Sequence, residues 1–175
     1  MVLGALAIST SAFAQSSPEI DRALAVAPPQ LRDAAIVIKW KPDYTYDTLR
    51  KGTNRLVCYD RSGEPGRAAF AVQCTSIGNL ERVAQNRKFE AIADKAERQK
   101  ALDAAEANGT RVKPEYGSAW YIMNGPDQAS ARTHVTIAVP GATKQSIGLP
   151  DDNKQGGAWL MSAGTSTAHI MTPGR

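Results

Sequence analysis

Short apolar runs cut by glycine and proline lie on both sides of one long helical block, and this order limits what the chain can fold into more than anything else in it. Residues 35–40, 55–59, 68–74, 118–123, 133–139, 158–162 and 167–172 are rich in β-branched and aromatic side chains and end at breakers such as Pro42, Pro140 and Pro173. Each reads as a strand. From Ile77 the apolar period changes, with Leu80, Val83 and Ala84, then Phe89, Ile92, Ala93 and Ala96 recurring at three and four, which is the spacing of one helix face. Asn79 can cap the start, and Asn108-Gly109 can stop the helix because both residues tolerate positive φ. One long helical segment over about 79–108 is predicted, with a break near Gln99 and a solvated far end, since the apolar stripe fades after Ala96. Strands, then helix, then strands imply an α+β domain on a mainly antiparallel sheet; a doubly wound sheet would need strand and helix to alternate.

At the N-terminal end, Glu19 to Ala27 forms a short helical pattern before the Pro28-Pro29 break. Thr48-Leu49-Arg50 leads through Lys51-Gly52-Thr53-Asn54 to Arg55-Leu56-Val57-Cys58-Tyr59, and the turn residues between them predict a hairpin. Residues 1–14 read as an address: an apolar stretch from Val2 to Ile8 is followed by Ala12-Phe13-Ala14, the small-x-small pattern a signal peptidase cuts, with Gln15 as the mature start. No Lys or Arg precedes the stretch, so the charged opening of a complete leader is missing and Met1 is expected to lie inside a longer precursor. No other segment approaches the roughly 18 apolar residues of a membrane span. An exported protein, periplasmic or secreted, with residues 15–175 as a single domain, is the expectation.

Cys58 and Cys74 are the only cysteines. In an oxidising compartment two cysteines on neighbouring strands predict a disulfide, and there is no C-x-x-C to suggest a redox or zinc site. The net charge of +4 is mild, the basic residues are spread out, and aromatics make up 6%. Nucleic-acid binding is not expected from that pattern. Neither G-x-x-x-x-G-K-[ST] nor G-x-G-x-x-G occurs, so nucleotide cofactors have no support and no cofactor is predicted.

The two histidines, His134 and His169, fall inside predicted C-terminal strands. A period of two places His134 with Thr136 and Ala138, and His169 with Thr167 and Met171, each histidine on the more polar face of its strand. If those strands pair, the imidazoles could approach each other, as ligands of a metal completed by Glu115 or Asp127, or as a general base. Ser166 and Ser162 are nearby hydroxyls, but G-x-S-x-G is absent. Arg50 beside its turn could hold an anion, with Asn54, Thr136 and Thr167 as further polar candidates for a ligand; the plain alternative is a solvated turn and half-buried histidines bonded to backbone.

Taken together, Leu49-Arg50-Lys51-Gly52-Thr53-Asn54 before Cys58, His134 opening an apolar strand that ends in Pro140, and Gly164-Thr165 through Ala168-His169-Ile170-Met171 to Pro173 resemble a family of small exported bacterial proteins of no assigned activity. The likeness is most specific over residues 164–173. It departs in the middle, where the family has a Trp- and Met-rich helical segment after the cysteine and this chain has an Ala- and charge-rich one. The resemblance implies export, one domain and an interest in His134 and His169, without a reaction. The leading expectation is a non-enzymatic binding or accessory module held by a Cys58 to Cys74 bridge. The competing one is a small hydrolase or metal-binding protein using His134 and His169.

Overall fold

The computed structural model describes residues 17–173, so the leader expected over residues 1–14 lies outside the described residues. Two short helices, α1 (Pro18–Ala23) and α2 (Pro29–Arg32), precede strands β1 (Ile36–Trp40), β2 (Tyr46–Arg50), β3 (Leu56–Asp60) and β4 (Phe70–Ser76). Helices α3 (Leu80–Glu90) and α4 (Lys95–Ala107) follow, then β5 (Ala119–Gly125), β6 (Arg132–Ala138), α5 (Lys144–Ile147), β7 (Trp159–Met161) and β8 (His169–Met171). All strands join one eight-stranded sheet in the order β2-β1-β3-β4-β5-β6-β8-β7. The fold is α+β. The sheet is mixed, where a mainly antiparallel one was expected, because β1 and β3 run parallel.

The predicted hairpin between β2 and β3 does not form, and burial explains why. Val37 and Ile38 of β1 are buried on opposite faces, at 0% and 2% exposure, so β1 needs a neighbour on each side and covered faces. In β2, Tyr46, Asp47 and Thr48 are exposed, which suits an edge. The chain therefore lays β2 outside β1, turns across the start of β1, and enters β3 on the far side. The turn residues make that crossing. Thr53 and Asn54 donate their backbone N–H groups to the Ala34 carbonyl at 2.9 and 3.1 Å, Arg50 donates to the carbonyls of Arg32 and Ala35, and Asn54 donates to that of Leu31. At Gly52 a Cβ would sit 2.4 Å from the Ala34 oxygen, so no side chain fits there.

The helical block breaks earlier than expected, over residues 91–94 and not near Gln99, which leaves two helices. Asp94 takes an extended backbone and accepts the N–H of Glu97 at 2.8 Å, capping α4 and ending the run of α3 before it. Asn79 stands at the N-cap position of α3, as expected, but its side chain makes no capping hydrogen bond. It is fully buried, donates to Thr75 and Ser118, and accepts from the Glu115 N–H, tying β4 to the entry of β5. The predicted stop holds: Gly109 follows α4 at φ 73°.

Cys58 and Cys74 lie directly opposite each other on β3 and β4 and are joined by a disulfide, with Cα atoms 4.1 Å apart and both side chains fully buried. They belong to the sheet face packed under α1, with Ala23, Leu24, Val37 and Val72. The other face holds Ile38, Val57 and Tyr59, covered by Leu80 and Val83 of α3. That cover stops short of β5, β6 and β8, and the uncovered floor is where the histidines lie. Among the described residues no helix is long and apolar enough to cross a membrane.

Candidate functional site

Strand alternation builds the floor of a groove. Trp120 pairs with Thr136 and Ile122 with His134 between β5 and β6, and Thr136 pairs with Met171 and Ala138 with His169 between β6 and β8. Residues two apart share a face, so all of these side chains look the same way. One wall is α3, whose Arg82, Asn86 and Glu90 recur every four residues and all face the space. The cavity encloses about 740 Å³ and is lined by both histidines, by Thr136 and Thr167, and by Met161 at the edge strand.

The two ends of the groove differ. At the His134 end, Glu90 accepts from Arg61 at 2.5 Å and also from Arg67, while Glu64 accepts from Arg61 at 2.7 Å and Arg87 at 2.5 Å. Arg61 is only 5% exposed, so this lattice compensates a buried cation. Burial opposes the charge on Glu90, but hydrogen bonds from Arg67 and Arg61 outweigh it and hold the carboxyl below its ordinary value of 4.5. Because the folded value is the lower one, the stability Glu90 contributes is complete above its unfolded value and is lost as the pH falls through the folded one. Urea unfolding of the wild type and of Glu90→Gln should therefore differ most near neutrality, and the two should converge as the pH falls through the lowered folded value of Glu90. A gap that stays constant into acid would contradict it.

At the His169 end the cation is Arg82, 3% exposed. It donates to the Val112 carbonyl at 2.5 Å, to Thr167 Oγ1 at 2.7 Å and to Ser166 Oγ at 3.4 Å. Burial, together with the charge of Arg111, pulls its pKa down to about 10, so it stays cationic at neutral pH. His169 Nδ1 lies 2.7 Å from the Thr167 carbonyl, which can only accept, so the proton is on Nδ1 and Nε2 is left to the groove. His134 is the reverse case: its Nε2 is buried with no hydrogen-bond partner.

The structure brings His134, His169, Thr136 and Thr167 to one cavity, as strand faces suggested. It does not bring the two imidazoles into contact. His169 pairs with Ala138, four residues beyond His134, so the two stand about 14 Å apart along the strand direction. One ion does not bridge that span, and among the described residues no group of three His, Cys, Asp or Glu could hold a metal. Glu115 is bound to Arg55 and Ser76, and Asp127 to Ser130, both on the surface away from the groove. The Ser166 hydroxyl donates to Glu106 at 2.6 Å and to neither histidine. Ser162 is exposed and lines a smaller neighbouring cavity. Arg50 and Asn54 are spent on the backbone crossing around β1.

Arg82, Asn86 and Glu90 are absent from the residues the sequence suggested. Their signal was present as a polar stripe of period four on an otherwise ordinary helix, which looks the same as a solvated face until the far strands fold beneath it. Comparison with protein-family models, with curated proteins and with solved structures finds no match.

Proposed function

We propose that this protein is an exported, non-enzymatic binding module whose site is the groove between α3 and strands β5, β6 and β8. The observation that carries the reading is the cavity of about 740 Å³ itself, in which His134, His169, Thr136 and Thr167 of the sheet face Arg82 of α3. A concave site of that size in which apolar surface and converging polar groups meet is the usual form of a small-molecule site. Binding is favoured over hydrolysis because Ser166 is engaged by Glu106 and no hydroxyl is bonded to an imidazole nitrogen among the described residues. A buried disulfide supports export, since such bonds form and persist where thiols oxidise.

The test uses a neutral fluorescent probe, N-phenyl-1-naphthylamine. The full chain should bind it saturably at one site, and Thr136→Phe, which fills the floor, should weaken binding at least about tenfold while thermal unfolding stays cooperative. Absence of saturable binding, or equal binding by a folded Thr136→Phe, would remove the groove as the site.

A further inference from the structure

Of the arginines on and around α3, Arg82, which lines the groove, and Arg111, which lines the smaller neighbouring cavity, stand apart. Arg61, Arg67 and Arg87 all reach carboxylates. Arg82 donates only to a carbonyl and two hydroxyls, and Arg111 only to the side-chain oxygens of Gln85 and Asn86. Among the described residues neither has a carboxylate within ion-pair distance. Glu106, the carboxylate whose charge acts on both, accepts the N–H and the hydroxyl of Ser166. Glu106 thus acts on Arg82 only at a distance, and a cation this deeply buried with no carboxylate in contact gains when a ligand brings one.

We infer that the groove takes a carboxylate carried on an apolar body, with its oxygens on Arg82 beside Thr167 and its body over Trp120, Ile122 and Met171. This rests on the groove being the binding site. One guanidinium suits a monoanion, and guanidinium and carboxylate match as a planar pair. Arg82 lines the groove at 3% exposure, and among the described residues its hydrogen bonds run from its two terminal nitrogens, not from Nε. Apolar residues continue from that end toward His134, which gives an extended body somewhere to lie.

Displacement of N-phenyl-1-naphthylamine by matched ten-carbon compounds tests the inference on the full chain. Decanoate should displace the probe at least about tenfold more tightly than 1-decanol, as expected for a charge-assisted hydrogen bond replacing a neutral one. In Arg82→Met the two should become equal while the probe still binds. Should that variant fail to fold, Thr167→Val, which removes a hydroxyl holding the guanidinium, should narrow the preference about threefold. Decanol binding as tightly as decanoate in the wild type would overturn the inference and leave the groove reading standing, and so would a full decanoate preference in a folded Arg82→Met. Decyl phosphate binding more tightly than decanoate would overturn the choice of carboxylate. Failure of the probe itself to bind would remove the groove reading and this inference with it.

Discussion

Gly52→Ala is expected to destabilise the protein by about 3 kcal/mol, the upper part of the range for overpacking. The added Cβ would lie 2.4 Å from the Ala34 oxygen and 2.6 Å from the Ala35 carbon and the Ile36 nitrogen. All three are backbone atoms at the entry to β1, and none can rotate away. Relief would require the crossing to open, weakening the Thr53 and Asn54 bonds to Ala34 and drawing β1 away from β3. Lys51→Ala, one residue earlier and exposed, should stay within about 0.5 kcal/mol of the wild type. Urea unfolding of the two variants checks this, and equal midpoints would show that the close approach at Gly52 carries no weight.

The second large effect concerns the bridge. Removing it in the double variant Cys58→Ala, Cys74→Ala should cost about 3 kcal/mol, the value for freeing an unfolded loop of this length, given the sequence separation of 16. The bridge lies on the α1 face, opposite the groove, so probe binding by the folded fraction should be unchanged. A loss below about 1 kcal/mol, measured by urea unfolding of both proteins under non-reducing conditions that keep the wild-type bridge intact, would contradict this account of the bridge.

Local pattern accounts for the parts of this fold that the sequence made legible. The strand runs, the faces of the two histidine strands, the Cys58 to Cys74 pairing and the stop at Gly109 all follow from alternation, breakers or a count of two cysteines. What was not legible depends on partners distant in the chain. Lys51-Gly52-Thr53-Asn54 carries ordinary hairpin residues, yet the double-sided burial of β1 draws it between β2 and β3. Asp94 is a helix residue by spacing and a cap by geometry, because a side chain that can bond its own backbone competes with helix continuation.

The site shows the same division. His134 and His169 could be placed on faces but not at a distance, because a register shift of four positions between β6 and β8 cannot be read from either strand alone. Arg82 was hidden for a different reason. An arginine on the polar side of a helix belongs in water by default, and only residues 112 and 166–167, far along the chain, turn it into a buried cation.

The most direct test of the groove follows the imidazoles themselves. In a ¹⁵N NMR titration of the full chain with N-phenyl-1-naphthylamine, the ring signals of His134 and His169 should both shift and saturate with one dissociation constant, matching that from probe fluorescence. If either ring stays still as the probe saturates, the two histidines do not share a ligand and the binding groove proposed between α3 and the sheet is wrong.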